Sequence, residues 1–420
     1  MRVVVVHGRY RSVAPSGENR VVDQEVRMLR EAGHDVRSYE RHSDDIADWP
    51  ARRRALLVMS SVRNGPVRAE LAAYLRRERP DVVHVHNTFP LLSPSVLLAC
   101  HDVGVPAVAT VHNYKLLCAS GDFYRDGAPC HDCGDGQVSP ALRHGCYRAS
   151  HAATLPVAAG LVLNRRLWQQ LVSAYLLISE SQRALLQGLA LPEERVFVKP
   201  NFVDRAEVSP VPREHLVAHL GRLDEAKGIR LTMAAWELHE RMSPDSRLQL
   251  VVAGGGPLED LVRDWAAGRE RVRMVGTLDP AGVGDLLDRA LLAVVPSAWE
   301  EVFGLVAVEA MAHGAVPVAP ARGSFPELVR DGWDGVLFEP GSAADLARVL
   351  GRADRDPGHH LELGERARAT SRRRFSRERN LEQLLSIYRY AIAHPAGRTS
   401  HASRPAHGPR TARPAPATEG

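Results

Sequence analysis

Two glutamates, Glu301 and Glu309, bracket the segment Glu-Val-Phe-Gly-Leu-Val-Ala-Val-Glu. Pro296 and Ser297 end a predicted strand, Trp299 and Glu300 make a loop, and a helix is expected from about Gly304 to Ala312. If the span is helical, the acids lie about 12 Å apart at ~1.5 Å per residue. That is too far for an acid/base pair on one bond, because paired glycosidase carboxylates sit roughly 5–9.5 Å apart. They can instead grip opposite ends of a long polar ligand. Free N–H groups near Phe303, Gly304 and Leu305 would face an anion between them. An isolated pair of this spacing also fits a capped helix with two surface acids.

A second group is Gly221-Arg222-Leu-Asp-Glu-Ala-Lys227-Gly228. The arginine offers a planar fork and the lysine a compact point charge, and on one glycine-flanked loop they can converge on a diphosphate. The chain has 54 basic residues, of which only Lys115, Lys199 and Lys227 are lysine. A lysine that survives such depletion merits inspection. Three weaker signals follow. Gly254-Gly255-Gly256 would let a ligand approach the backbone. Ser16-Gly17-Glu18-Asn19 can offer N–H groups to a phosphate, and His112 follows Thr110-Val111 at a strand end.

These groups need elements that bring them together. Arg2–His7 reads as a buried strand, and helical stripes alternate with short apolar runs at Asp35–Tyr39, Asp81–His86 and Pro106–His112. Tyr175–Ser179 and Arg195–Lys199 continue the series. A second series starts at Leu216, with strands expected at 216–220, 247–253, 271–275, 291–295 and 315–319, and residues 342–393 mostly helical. The alternation predicts two parallel α/β sheets. Each motif falls just after a predicted strand, at the carboxyl ends where such sheets bind ligands. The expected domains are 1–205, with a Cys-rich insertion at 113–150, and 206–375. A helix at 376–394 and a disordered tail at 395–420 complete the chain.

Composition limits the partners. With 420 residues, 45% hydrophobic and 25% charged, the chain suits two or three globular domains. The net charge of +4 is concentrated in the tail, where four arginines and one glutamate give +3, leaving +1 for residues 1–394. A near-neutral body argues against a nucleic-acid partner. No apolar run is long enough to span a membrane and the N-terminus does not read as a signal peptide. The expected location is the cytoplasm, with a peripheral position at the inner face of a membrane left open by the apolar stretch 152–172 and its neighbouring arginines.

Together, the Gly-Arg-Leu-x3-Lys-Gly loop and the Glu-x7-Glu segment, 74 residues apart from Lys227 to Glu301, resemble the retaining GT-B glycosyltransferases of family 4. The resemblance covers nearly the whole chain to about residue 393. It implies two Rossmann-like domains facing across a cleft, with the last helix crossing back to the first domain. By that similarity Arg222 and Lys227 hold the diphosphate of a sugar nucleotide, with UDP- and GDP-sugars foremost. Glu301 meets the donor sugar and Glu309 the ribose. Gly304 and Leu305 present amides, Gly17 and Gly255 approach the ligand, and His112 lines the reacting face. The acceptor is a hydroxyl on a glycan, a lipid-linked compound or a small metabolite. Cationic side chains stabilise the leaving group, so catalysis is expected to need no cofactor.

Cys118, Cys130, Cys133 and Cys146 are spaced C-x11-C-x2-C-x12-C. In a chain expected to be cytoplasmic this fits a structural Zn2+ site, with an iron–sulfur cluster or free thiols as alternatives. Four thiolates leave no open coordination position, so no catalytic role is assigned. Two other readings of the whole chain stay open: a GT-B-like sugar-nucleotide epimerase, and a zinc-stabilised nucleic-acid-binding module.

Overall fold

A computed structural model describes residues 1–12, 16–204 and 211–397. The expected boundary at 205/206 and most of the expected disordered tail lie outside those residues. The first lobe begins with β1 (Arg2–Arg9), whose four consecutive valines are buried on both faces, as a central parallel strand requires. It continues through β2 (Asp35–His42), β3 (Val82–Val85) and β4 (Ala107–Val111). A small antiparallel hairpin, β5 (Tyr124–Arg125) and β6 (Ala128–Pro129), interrupts the series before β7 (Val172–Leu177) and β8 (Val196–Val198). The sheet is fully parallel in the order β2-β1-β3-β4-β7-β8.

The second lobe contains β9 (Glu214–Leu220), β10 (Gln249–Ala253), β11 (Val272–Gly276), β12 (Ala290–Val294), β13 (Val316–Pro320) and β14 (Val336–Phe338). Its order, β11-β10-β9-β12-β13-β14, is the 3-2-1-4-5-6 arrangement of dinucleotide-binding sheets. The order reverses between β9 and β12. The loops leaving those two strands therefore diverge to opposite sides of the sheet and open a crevice between them. The first of these loops carries Arg222 and Lys227, and the second carries Glu301.

Helix Arg377–Ala393 returns to the first lobe. Its Leu384, Ile387, Tyr388 and Ala391 join a core with Val3, Val5, Val22 and Met28. Another core spans both lobes, uniting Tyr114, Leu117 and Phe123 of the insertion with Val302, Phe303 and Phe325 of the second lobe. Several elements differ from expectation. Residues 113–150, which show no period in sequence, contain the hairpin and helix Ser139–His144; helix Ala51–Val62 and β14 have no counterpart in the sequence reading. Asp354 and Asp356 are helix-end residues, accepting from the Arg247 and His359 amides at 3.1 and 3.0 Å. Among the described residues no helix is long and apolar enough to cross a membrane.

Candidate active site

The Arg222–Lys227 loop is shaped by backbone contact. Gly221 N–H donates to Ala253 C=O at 3.1 Å and Leu223 N–H to Gly255 C=O at 3.0 Å. A Cβ on Gly254 would lie 1.8 Å from the Gly221 carbonyl oxygen, and one on Gly256 would lie 2.6 Å from that of Leu223. The glycine triplet therefore fits the Arg222 loop against β10, and Gly255 belongs to this packing. Asp224 then ties the loop together: it pairs with the Arg222 guanidinium and accepts from Lys227 N–H at 2.8 Å.

Lys227 Nζ reaches across the crevice to Glu301 Oε2 at 2.8 Å. The same oxygen accepts from Ser297 Oγ and Trp299 Nε1, each at 2.9 Å, and the ammonium lies 4.9 Å from the Trp299 ring centre. Four side chains from two loops thus define one polar point at the switch between β9 and β12. Glu301 itself is on a loop. The helix is Leu305–His313, within a residue of the expected Gly304–Ala312. The span between the two acids is therefore only partly helical, and the figure of about 12 Å for a fully helical span does not apply. The chain turns at Gly304, whose φ of 77° is left-handed and whose added Cβ would meet Phe325 at 2.5 Å. Ala307, Val308, Ala310 and Met311 of the helix pack inward while the preceding loop holds Glu301 beside Lys227. Phe303 is buried in the inter-lobe core, and the N–H groups of Leu305 and Val306 begin the helix without intrahelical acceptors.

Glu309, buried on that helix, pairs with Arg20 of the first lobe at 2.5 Å. Burial raises its pKa and Arg20 opposes the rise. Gly17 opens helix Gly17–Glu31 behind the Ser16 cap, and a Cβ there would touch nothing within 4 Å. Among the described residues, none packs closely enough to demand a glycine at that position.

Across the cleft, His112 follows β4 and shares a cavity with Glu18 and Lys115. Burial lowers the His112 pKa to about 3 and raises that of Glu18 to about 7, where Tyr10, Lys115 and Asn113 oppose the rise. Tyr10 donates to Glu18 at 3.0 Å. Behind His112 lies a buried polar network that no motif announces. His112 Nε2 meets His86 Nδ1 at 2.9 Å, and His86 Nε2 faces Glu25 at 3.6 Å. Glu25 also meets His84 Nδ1 at 2.9 Å and Lys199 Nζ at 3.3 Å. Burial pushes the Glu25 pKa up, but His84 and Lys199 together hold it at about 2. Glu25, His84 and His86 have ligand atoms within 4.8 Å of one another. A cation there would compete with the Lys199 ammonium, and both His84 nitrogens already have partners, Tyr388 OH at 2.7 Å and Thr110 Oγ1 at 2.8 Å. The trio is a buried polar cluster whose His86 bonds His112.

All three lysines thus belong to this region: Lys227 in the crevice, Lys115 beside His112 and Lys199 under Glu25. Their scarcity was the legible signal; Glu25, His84 and His86 carried none.

The four cysteines of the insertion are free and line one small cavity with Asp132 and His144. Among the described residues, only Glu25, His84 and His86 form a trio with ligand atoms as close as 4.8 Å, so no three of the thiols are that close together. Four cysteine thiols lining one space are the donor set of a tetrahedral structural ion, which they would hold only on coming closer together.

Residues 202–370 match the family model described as "Glycosyl transferases group 1", and residues 15–207 that described as "Glycosyltransferase Family 4". D-inositol 3-phosphate glycosyltransferase 1 of Catenulispora acidiphila is 31% identical over 335 residues, covering 76% of this chain and 74% of that protein. D-inositol 3-phosphate glycosyltransferase of Corynebacterium kroppenstedtii is 31% identical over 186 residues, but the match spans only 41% of its length and 42% of this chain. Glycogen synthase of Mycobacterium tuberculosis is 32% identical over 307 residues, 71% of this chain and 65% of that one. Among solved structures, sucrose-phosphate synthase from Thermosynechococcus elongatus superposes with a TM-score of 0.66 at 20% identity, covering 93% of this chain and 99% of its own. Anabaena Alr3699/HepE in complex with UDP and glucose gives 0.64 at 16%, covering 92% and 98%. At such identities these two likenesses speak for the fold.

Proposed function

The chain belongs to the glycosyltransferases of group 1 and family 4, and from that premise we propose that it moves a sugar from a nucleoside diphosphate to a hydroxyl acceptor in the cleft between its lobes, with retention at the anomeric carbon and without a catalytic metal. The observation that carries this reading is the convergence of Lys227 and Glu301, at 2.8 Å, on the crevice between β9 and β12. Arg222 and Lys227 neutralise the pyrophosphate, and the amides at Leu305 and Val306 face it. Glu301 accepts from sugar hydroxyls and Glu309 from the ribose. As the C1–O bond to the diphosphate breaks, negative charge grows on the departing oxygen, and fixed cations stabilise it without reorganising. The acceptor oxygen bonds to C1 on the same face and its proton passes to the departing phosphate. His112, kept neutral, hydrogen-bonds at that face. Cations supplied by the protein make a divalent ion unnecessary for this step.

Cys118, Cys130, Cys133 and Cys146 would hold a structural Zn2+ that fixes the insertion over the first lobe, with no part in the transfer. UDP- and GDP-sugars lead the donor candidates; the superposing Anabaena protein was solved with UDP.

The test is a thermal-shift screen against UDP-, GDP-, ADP- and TDP-sugars, followed by product analysis with the donor that raises the midpoint. Glu309→Ala is expected to weaken donor binding and Lys227→Ala to slow transfer. Full donor affinity and turnover in both variants would refute the assignment. Free sugar-nucleotide isomers in place of a glycoside would favour an epimerase.

A further inference from the structure

The cavity that contains His112 extends well past the reacting face. At one end are Glu18, His112 and Lys115; elsewhere Val157, Leu161, Trp168 and Leu191 form an apolar wall that also carries Asn164 and Arg165. Its volume is about 110 Å³. Much of that wall is the inner face of helix His151–Leu171, where residues 157, 160, 161, 164 and 168 recur at helical spacing. A sugar or polyol acceptor offers hydroxyls that need partners along its whole length. Asn87, Asn164 and Arg165 also line the cavity but already donate to the Gly8, Val62 and Gly136 carbonyls. The apolar stretch therefore offers such hydroxyls few partners and suits hydrocarbon, which apolar cavities of similar size bind.

The outer face of the same helix is also apolar. Leu155, Val162 and Leu163 are 55–60% exposed, and Met59 of the adjoining helix Ala51–Val62 is 70% exposed. The two helices together carry five arginines and no acid. Exposed apolar side chains on an acid-free, arginine-bearing pair of helices complement an anionic lipid surface.

We propose that the acceptor is an amphiphile whose hydroxyl is presented at His112 while its hydrocarbon chain occupies the cavity under helix His151–Leu171. The apolar, arginine-bearing outer surface points to an anionic lipid layer as the source of that acceptor. The inference rests on the transfer reaction proposed above.

The experiment measures transfer from the donor found by thermal shift to glucose, and to ethyl, butyl, hexyl and octyl β-glucosides below their micelle concentrations. The expected result is a KM that falls by about fourfold per added methylene until the cavity is filled, the gain from burying one CH2. Gly160 lines the cavity, and a Cβ there makes only ordinary contacts, 3.5 Å to Val62 and 4.0 Å to Asn164. Gly160→Phe, checked for an unchanged melting temperature, should abolish the dependence on chain length. If that variant melts early, Leu161→Asp and Val157→Ser supply the same comparison. A KM independent of chain length, or a length dependence that survives filling the cavity, overturns the proposal. So does a donor that binds and is hydrolysed while every alkyl glucoside is refused, which leaves the transferase reading standing. Absence of any donor-induced shift would instead remove that reading and this one with it. A second arm presents dodecyl β-glucoside in phosphatidylcholine vesicles with and without phosphatidylglycerol. Faster transfer on the anionic vesicles supports a lipid-borne acceptor; equal rates overturn that source and assign a soluble amphiphile.

Discussion

His112 has one ring nitrogen committed to His86, and the direction of that bond follows from Glu25. The Glu25 carboxylate, held ionised, lies 3.6 Å from His86 Nε2. That is too long for a good hydrogen bond, but the charge favours a proton on that nitrogen. His86 Nδ1 then accepts from His112 Nε2–H, and in the transfer reaction proposed above His112 Nδ1 would offer its lone pair to a hydroxyl. His86→Ala is expected to lower kcat roughly 10- to 100-fold, the scale of a misaligned group, while the donor-induced thermal shift persists. The titrating groups predict opposite pH trends. Glu18 moves from 4.5 to about 7 on folding, so the folded state binds more protons and Glu18 removes stability as pH rises through that window. His112 moves from 6.5 down to about 3, so stability is lost as pH falls through that range. Melting curves across pH should lose the first trend in Glu18→Gln and the second in His112→Asn. Each difference should be about 1–3 kcal/mol after allowance for partial exposure.

The loop between β9 and helix Ile229–Met242 depends on glycines for two distinct reasons. Gly254 and Gly256 have positive φ and lie against the backbone of residues 221–223. Gly254→Ala should therefore cost about 1–3 kcal/mol through overpacking and weaken donor binding by displacing Arg222. Gly17 has open space around it, so Gly17→Ala should leave the melting temperature unchanged. Weaker donor binding in that variant, measured by titration, would show that the donor itself comes close to this backbone. The cysteine-bearing insertion makes a third case. With only a short hairpin and a six-residue helix, it has little regular structure to hold its shape. Cys130→Ser/Cys133→Ser should lose bound metal and lower the melting temperature, as measured by elemental analysis and calorimetry. Unchanged metal content and melting would refute the site.

The lobes meet through specific contacts as well as through apolar packing. Arg20 pairs with Glu309, His131 lies 3.4 Å from Glu300, and Glu327 accepts from the Glu180 and Ser181 amides at 2.8 and 2.5 Å. The returning helix adds Tyr388 to His84, and Asn380 to both Lys199 and the Pro200 carbonyl. The clasp therefore touches the cluster whose His86 bonds His112. Leu384 is fully buried in it, and Leu384→Ala should cost about 2–5 kcal/mol. Denaturant unfolding would measure that loss. An unchanged midpoint would mean that the helix contributes little to the union of the lobes.

Residue order alone determined the alternation of strands and helices, because four valines in a row, or an apolar stripe ended by glycine, can bury themselves in only a few ways. It also determined that Arg222, Lys227, Glu301 and His112 follow strands, and hence that they gather at carboxyl ends. Tertiary structure decided what those residues touch. Glu301 meets Lys227 because Gly304 turns the chain against Phe325, a contact made by residues more than twenty positions apart. The Glu25, His84 and His86 cluster, and the cavity beneath helix His151–Leu171, arise where separate strands and helices meet. Such sites depend on the distances between elements, and local periodicity carries no record of those distances.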